Sequence, residues 1–285
     1  MGLSYKTIEV NYFRDQENLE LKLIQEEQKR LLLYILDVLE KAGINYIALG
    51  GTALGAVRHA GFIPWDDDVD IGVMRSDYNT LLKILDKDTL PKGIYLQNYH
   101  KDASVPFSFT KIRSNSLKTK QNQPKYVHSE DVFIDIFPLD YYQKARFRIK
   151  ESIIYILYHI KWSYYLKESI QLYSGYKKFG KILLYYVRKV TPKLFLHKIF
   201  DIFVSNVVTD HLICYESHGV SARYRTLITL NSFNKSKHIE FEHNQIRVPK
   251  DVEDYLENLY GKYLELPIIT DRRPSHFKSL TVKKA

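Results

Sequence analysis

The sequence predicts a mixed α/β fold in which helices flank a β-sheet, with a further helical segment added to it. Two patterns in residues 1–142 favour this class: helical spacing of apolar residues, and short β-rich runs that end at glycine or acidic residues. A third pattern, basic and aromatic with helical periodicity, begins at Gln143. The 285 residues, 45% hydrophobic and 26% charged, are typical of a folded protein with a sizeable core.

The first predicted elements are a helix, a strand, a glycine turn and a second helix. Residues 17–42 carry apolar side chains close to helical spacing. The run "INYIAL" (44–49) predicts a short strand that ends at Gly50 and Gly51, after which Thr52 is expected to cap a short helix.

Further β-rich runs complete this part. Residues 69–73 ("VDIGV") predict a strand, and Ser76 is expected to open the next helix. Three later strands are predicted in "GIYLQNY", "PFSFTKI" and "VFIDIFPL". Near the C-terminus, "YRTLITL" and "NQIRVP" are weaker strand signals, and "DVEDYLENLY" predicts a short helix.

Residues 143–200 differ in character from the rest. They hold thirteen Lys/Arg against two Asp/Glu, with thirteen aromatic residues interleaved. This pattern is typical of a helical subdomain that packs its rings and solvates its lysines. A face that lies on an anionic membrane and a nucleic-acid surface are the alternatives. We therefore divide the chain into a catalytic core (1–142), a basic, aromatic helical subdomain (143–210) and a C-terminal part that completes the active-site domain (211–285).

Charge and cysteine content narrow the classes of partner and compartment. A formal charge of +9 indicates an anionic partner. Cys214 is the only cysteine, so an internal disulfide and a thiolate zinc site are excluded. We see no secretory signal and no apolar run near the roughly 20 residues that a membrane span needs. We expect a cytoplasmic protein, and leave open a peripheral position on the inner face of the cell membrane.

The stretch "FIPWDDDVDIG" (62–72) carries the clearest chemical signal. Residues two apart on a strand share a face, so Asp68 and Asp70 are expected to point together while Val69 and Ile71 enter the core. Asp66 joins the pair if the strand extends that far. Carboxylates this close repel each other, and a hard divalent cation relieves the repulsion. The pattern predicts a Mg²⁺ site, which Mn²⁺ could also fill, that leaves open positions for substrate phosphates.

Other acidic motifs fit less well. A solvated acidic loop would not need the alternating apolar residues. An EF-hand beginning at Asp66 requires glycine where Ile71 stands. The DDxxD spelling of terpene synthases belongs to all-helical proteins, and this context is β-rich. A DxD glycosyltransferase, which holds a nucleotide-sugar through a metal, remains the main rival.

The upstream glycines favour a phosphate-handling site. "LGGTALGAVRH" gives a tight turn followed by a helix N-terminus, which suits a phosphate group. A Gly-Gly turn followed by Asp-x-Asp on a strand resembles the signature of the nucleotidyltransferase superfamily, in which a third carboxylate comes from a neighbouring strand. Asp135 in "VFIDIFPLD" is the best candidate for it, whereas Asp140 is expected in a turn after Pro138.

Three blocks of the sequence resemble the LicD family, whose distant relatives include the fukutin and fukutin-related proteins. These blocks are "GGTALGAVRHAGFIPWDDDVDIG", "FIDIFPLD", and "YLENLYGKYLELPI" followed by "RRPSH". The resemblance implies a nucleotidyltransferase-like fold with a mixed sheet. It also implies transfer of a phospho-substituent from a CDP-activated donor to a sugar hydroxyl of a surface glycan or its lipid-linked precursor, with release of CMP. Phosphocholine from CDP-choline is the leading case, and ribitol or glycerol phosphate the alternative.

The resemblance also implies roles for single residues. Asp68, Asp70 and Asp135 would hold the metal, and Asp66 or Asp135 would take the proton of the attacking hydroxyl. Contacts to the donor are expected from a further set: Gly50, Gly51, Thr52, Arg58, His59, Trp65, Arg272 and His276. For His59, capping of the local turn is an equal alternative; for Trp65, core packing is the main one. A solvated basic tail is the alternative for Arg272 and His276.

Three other functional classes compete with the transfer of a phospho-substituent from a CDP-activated donor. A nucleic-acid nucleotidyltransferase shares the glycine and acidic motifs, but "HAGFIPWDDD" resembles the LicD block instead, so we do not expect nucleic acid as a partner. A metal-dependent glycosyltransferase would bind UDP-sugars. A non-catalytic binding module is disfavoured by the intact acidic residues.

Overall fold

The structure is a computed structural model that describes residues 5–9, 19–88, 90–102, 105, 107–121, 130–142, 148–163, 191–204, 209–215 and 227–283, with five isolated positions between 175 and 186. Most of the basic, aromatic stretch between 164 and 190 lies outside these ranges.

The helices within the described ranges include those that the sequence predicts and one short helix, Leu230–Asn234, that it does not predict. They are α1 (Leu19–Lys41), α2 (Gly50–His59), α3 (Arg75–Lys87), α4 (Arg148–Ser163), α5 (Lys193–Val204), α6 (Leu230–Asn234) and α7 (Val252–Tyr260). Helix α1 forms where the apolar spacing predicts it, with Leu31, Ile35 and Leu39 fully buried. None of the described helices is both long and apolar enough to cross a bilayer.

The strands form one mixed sheet and a separate hairpin. They are β1 (Tyr5–Glu9), β2 (Tyr46–Ala48), β3 (Asp70–Met74), β4 (Ile94–Gln97), β5 (Thr110–Gln121), β6 (Asp131–Tyr142), β7 (His211–Ile213), β8 (Ile228–Thr229), β9 (Lys237–Phe241), β10 (Asn244–Val248) and β11 (Phe277–Lys283). In the sheet the main order is β1-β11-β5-β6-β3-β2, with β4 added to β5 and β7–β8 added to β6. The β9–β10 hairpin forms a second sheet of two strands. This mixed sheet, flanked by helices, confirms the predicted fold class.

The topology brings distant parts of the sequence together at the centre of the sheet. Strands β3 and β6 are parallel neighbours, whereas β5 is antiparallel to β6, and β11 is antiparallel to β5. Helix α1 packs against β5 and β6, and α2 packs against β3, β9 and α7. The carboxyl-terminal strand therefore lies within the same sheet as the strands that carry the acidic residues.

Helices α4 and α5 pack together over a smaller apolar cluster. The cluster contains Ile154, Leu157, Leu196, Phe200, Val204, Ile213 and Tyr215. A buried ion pair holds this unit to the sheet: Arg75 Nη2 lies 2.7 Å from Asp140 Oδ2, and Arg75 Nη1 lies 3.4 Å from Asp201 Oδ1 of α5. The prediction of Asp140 in a turn is wrong, because β6 continues past Pro138 to pair with β7 and Arg75 neutralises the buried carboxylate.

Candidate active site

A glycine elbow joins strand β2 to helix α2. Leu49 is extended and donates its amide to the Asp70 carbonyl oxygen at 3.0 Å. Gly50 then takes a left-handed φ of +49°, which a residue with a Cβ adopts only at a cost. Its amide donates to the Tyr255 hydroxyl at 3.0 Å. The elbow is thereby anchored to helix α7.

The next two residues connect the elbow to the acidic stretch. A Cβ at Gly51 would lie 2.6 Å from Asp66 Oδ2, so only glycine lets this carboxylate approach the start of the helix. Thr52 does not cap helix α2, because the helix already begins at Gly50. The buried Thr52 hydroxyl instead accepts the Asp70 amide at 2.8 Å. The elbow therefore holds both Asp66 and Asp70 in place.

The acidic residues are divided between a loop and a strand. Strand β3 begins at Asp70, so the prediction that Asp68 and Asp70 share a strand is wrong, and Asp66 also lies before it. The chain before Asp70 leaves the ladder because helix α1 binds it: Gln25 Nε2 donates to the Asp66 carbonyl oxygen at 2.8 Å, and Gln28 Nε2 donates to the next carbonyl oxygen at 2.7 Å. We call residues 66–69 the acidic loop.

Asp135, on the neighbouring strand β6, joins the acidic residues. We call Asp66, Asp68, Asp70 and Asp135 the acidic cluster. In the parallel pair of β3 and β6, Asp70 and Asp135 stand directly opposite each other, and the Asp135 amide donates to the Val69 carbonyl oxygen at 2.8 Å. The side chain of Asp135 is buried. This is the neighbouring-strand position that the sequence predicts for a third carboxylate; its role in metal binding stays a prediction.

Two cations contact the cluster. Lys111 stands opposite Asp135 in the β5–β6 pair, and its Nζ lies 2.7 Å from both carboxylate oxygens. The same Nζ lies 3.6 Å from the ring centroid of Phe133. His276, just before β11, places its Nε2 2.8 Å from Asp68 Oδ2. Despite the opposing effect of burial, the Asp68 carboxylate raises the pKa of His276 to about 9, so the ring is protonated at neutral pH.

The remaining two carboxylates have no such cation in direct contact among the described residues. Burial raises the pKa of Asp66 well above its ordinary value, and repulsion from Asp68 adds to the rise. Burial and then the charges of Asp68 and Asp135 raise the pKa of Asp70 in the same way. The cluster is therefore short of positive charge beside the glycine elbow.

The donor set fits a hard divalent cation, although it is not arranged as a finished metal site. Within the described ranges, no three acidic, histidine or cysteine side chains stand in ligating geometry. Asp66, Asp68, Asp70 and Asp135 nevertheless supply oxygen donors alone, the type that Mg²⁺ prefers. A divalent ion would relieve the repulsion that raises the pKa of Asp66 and of Asp70.

Four other predicted donor-binding residues lie close to one another: Arg58, His59, Trp65 and Arg272. Arg58 Nη1 donates to the Tyr263 carbonyl oxygen at 2.7 Å, so the guanidinium holds the C-terminal segment in this structure. Trp65 packs partly against the main core, with the His59 ring edge-on at 6.2 Å and the Arg272 guanidinium 5.4 Å from its centroid. Phosphate or choline binding by these residues stays a prediction.

Comparison with known proteins agrees with this geometry. The family model described as "LicD/FKTN/FKRP, nucleotidyltransferase domain" matches residues 43–174. Lipopolysaccharide cholinephosphotransferase LicD of Haemophilus influenzae is 26% identical over 270 residues, which cover 90% of this chain and 97% of that protein. Over residues 43–174 the chain resembles the LicD family.

A second relative matches a shorter segment. The ribitol 5-phosphate transferase FKRP of Homo sapiens is 52% identical over 44 residues, which cover 15% of this chain and 9% of that protein. The LicD-family match at residues 43–174 contains the glycine elbow, the acidic loop and Asp135, whereas Arg272 and His276 lie outside it.

Sequence reasoning missed several residues of this candidate site. Lys111 lies in the run "PFSFTKI", two residues after Phe109. Nothing in the adjacent sequence distinguishes it from a surface lysine. Gln25 and Gln28 are three residues apart on α1, a spacing that marks a shared helix face but not its partner. Nothing in the acidic stretch distinguishes Asp67 from its neighbours, yet its side chain accepts hydrogen bonds from the amides of His276 and Phe277 at the start of β11.

Proposed function

We propose that this protein is a magnesium-dependent phosphotransferase. In this proposal it moves a phospho-substituent, phosphocholine in the first instance, from a CDP-activated donor to a sugar hydroxyl of a cell-surface glycan or its lipid-linked precursor. The comparisons indicate a transferase enzyme. The observation that carries the chemistry is the convergence of Asp70, Asp135 and the acidic loop beside the glycine elbow.

The residues of the chain divide the work in a way the geometry supports. The first turn of α2 faces the acidic residues, and its N-terminus favours an anionic group such as a diphosphate. Asp68, Asp70 and Asp135 would hold the metal, which when bound supplies a Lewis acid that neutralises charge on the bridging phosphate oxygens. Lys111 keeps Asp135 oriented through both oxygens.

Asp66 is the better candidate for the base that accepts the proton of the sugar hydroxyl. Both oxygens of Asp135 accept hydrogen bonds from Lys111, which lowers their availability for a proton. Burial raises the pKa of Asp66 above its ordinary value, which is the direction that suits a general base. Asp66 also lies against Gly51, at the point where the donor phosphates are proposed to sit.

A second donor class deserves the same test. The short match to the ribitol 5-phosphate transferase FKRP favours transfer of a polyol phosphate as the alternative. The site geometry described above does not depend on whether choline or a polyol is attached to the phosphate. We propose that Trp65, His59 and Arg272, whose side chains contact one another, distinguish this group.

The experiment is a donor panel with nucleotide release as readout: CMP from a CDP-alcohol, and UDP or UMP from a UDP-sugar. Purified protein with Mg²⁺ is offered CDP-choline, CDP-ribitol, CDP-glycerol, UDP-sugars and nucleoside triphosphates, each with a mixture of glycan acceptors. We expect CMP from one CDP-alcohol, loss of turnover with EDTA, and loss of turnover in Asp68→Asn and Asp70→Asn. Turnover of a UDP-sugar in place of any CDP-alcohol, or undiminished turnover by either variant, would refute the proposal.

We also propose that the protein works at the cytoplasmic face of a membrane. The support is the charge of residues 143–200 and the apolar side chains that helices α4 and α5 leave exposed, among them Tyr155, Ile156, Phe195 and Ile202. A lipid-linked acceptor would be met at such a surface.

A further inference from the structure

Asp67 differs from the other carboxylates of the acidic loop in where its side chain points. Its Oδ1 accepts the Ser275 amide at 3.1 Å and the Ser275 hydroxyl at 3.2 Å. Its Oδ2 accepts the His276 amide at 2.9 Å and the Phe277 amide at 2.7 Å. The residue is completely buried. Four donors from residues 275–277 therefore surround this carboxylate.

These bonds join two segments that are far apart in sequence. Three successive amides around one carboxylate form a concave anion-binding arrangement, here filled by a side chain of the protein itself. The main chain of Asp67 is held from the other side, because Gln28 Nε2 donates to its carbonyl oxygen at 2.7 Å. Asp67 therefore links helix α1, the acidic loop and the start of β11.

The position of His276 depends on this link. Its amide is bonded to Asp67 while its ring reaches back to Asp68, with Nε2 2.8 Å from Oδ2. The ring also stands edge-on to Phe133 at 5.7 Å between centroids. The side chain of His276 is 41% exposed, so it borders the open side of the cluster where a donor would arrive.

We infer that Asp67 is a positioning residue for the active site: it holds residues 275–277 so that His276 stays against Asp68 on the wall of the donor site. The catalytic consequence of this inference rests on the proposed function. Its structural half, that Asp67 holds residues 275–277 in place, does not. It assigns Asp67 a role different from the metal binding proposed for its neighbours, since its carboxylate accepts four hydrogen bonds from Ser275, His276 and Phe277.

The test compares Asp67→Asn, His276→Gln and the double variant, with Asp254→Asn on the exposed face of α7 as matched control. The amide of Asn at residue 67 presents N–H groups to the main-chain N–H groups of residues 275–277. Hydrogen bonds are therefore lost while the volume of the side chain stays the same. We expect hydrogen exchange of the residue 275–277 amides to quicken by tenfold or more, as loss of charge-assisted bonds implies. The His276 ring resonances should also move as the ring leaves Phe133.

The kcat for the CDP donor then shows whether Asp67 acts by positioning His276 or only by stabilising the fold in general. If Asp67 acts through His276, Asp67→Asn should lower kcat in the wild-type background by tenfold or more and have little further effect in His276→Gln. Ser275→Ala, which removes one of the four donors, should give a smaller change in the same direction and decides the matter if Asp67→Asn does not fold.

Two results would overturn the inference. One is unchanged exchange of the residue 275–277 amides and an unmoved His276 ring in Asp67→Asn, or in Ser275→Ala if the former does not fold. The other is independent, multiplicative effects of Asp67→Asn and His276→Gln on kcat. Exchange and ring resonances need no substrate, so a wild-type protein that consumes no CDP donor would contradict the proposed function and leave the structural half of this inference in place.

Discussion

Replacing Lys111 by methionine tests how the buried charges of the site are balanced. The ammonium is bonded to both oxygens of Asp135 at 2.7 Å, and the side chains are only 11% and 8% exposed. Removing one partner of a buried pair leaves the other charge uncompensated, which costs about 3–5 kcal/mol. Asp135 would then face Asp70 without a counter-ion. We expect the free energy of unfolding of Lys111→Met to fall by that amount.

Equilibrium unfolding in urea measures this loss, and the midpoint of thermal unfolding should fall on the order of 10 °C. The double variant Lys111→Met/Asp135→Asn removes both charges and should recover most of the stability. Lys83→Met, at an exposed position of α3, is the control for the loss of an ammonium group. If the carboxylates bind a divalent cation, millimolar Mg²⁺ should stabilise Lys111→Met more than the wild type.

A loss below about 1 kcal/mol, the value of an exposed pair, would refute the argument, because it would mean that Asp135 is well solvated without Lys111. Failure of the double variant to regain stability would also count against it. The loss would then come from packing against Phe133 and not from an unpaired charge.

Three further predictions follow from the same geometry. Gly51→Ala places a methyl group 2.6 Å from Asp66 Oδ2, so the carboxylate must move and turnover should fall on the order of a hundredfold with little change in thermal stability. The folded-state pKa of His276 is about 9, above its ordinary value of 6.5, so its pairing with Asp68 should stabilise the wild type relative to His276→Gln below pH 6.5 and cease to do so as pH rises through 9. If residues 143–200 bind membranes, sedimentation with vesicles should require anionic lipid and weaken as salt rises from 0.05 to about 0.5 M.

Each of these has a control and a contrary outcome. Gly180→Ala adds a methyl group in open space and should be neutral, whereas normal turnover by Gly51→Ala would separate Asp66 from the reaction. A stability difference between wild type and His276→Gln that does not change between pH 6.5 and 9 would contradict the ion pair. Vesicle binding that ignores both lipid charge and salt would favour the interpretation of residues 143–200 as a packed helical subdomain.

Local pattern predicted much of the core. The alternation of Val69 and Ile71 with acidic residues predicted β3, and the lone carboxylate within an apolar run predicted Asp135 on a neighbouring strand. The Gly50-Gly51 pair predicted the elbow, and the three LicD-like blocks predicted the match to the family. These features can be read locally because helix and strand periodicity and turn chemistry depend on residues close together in the chain.

The wrong predictions concern residues whose local sequence favours one role, but whose side chain binds a residue far away in the chain. Thr52 has the chemistry of a helix cap, yet its hydroxyl binds the Asp70 amide. Asp140 follows a proline and looks like a turn residue, yet Arg75 allows it to lie buried in β6. In both cases a hydrogen bond or ion pair across the fold outweighed the local preference, as tertiary context commonly does.

The sequence by itself determined the elements and the chemical type of the site: a glycine turn, a β-strand and a group of carboxylates suited to phosphate chemistry. Only the tertiary structure decided which neighbours each carboxylate has. Lys111 meets Asp135 because β5 and β6 pair in one register, and His276 meets Asp68 across 208 residues because β11 joins the same sheet. The charge state and orientation of a buried acid depend on its neighbours in space, and those neighbours are set by strand pairing and packing instead of by adjacency in the chain.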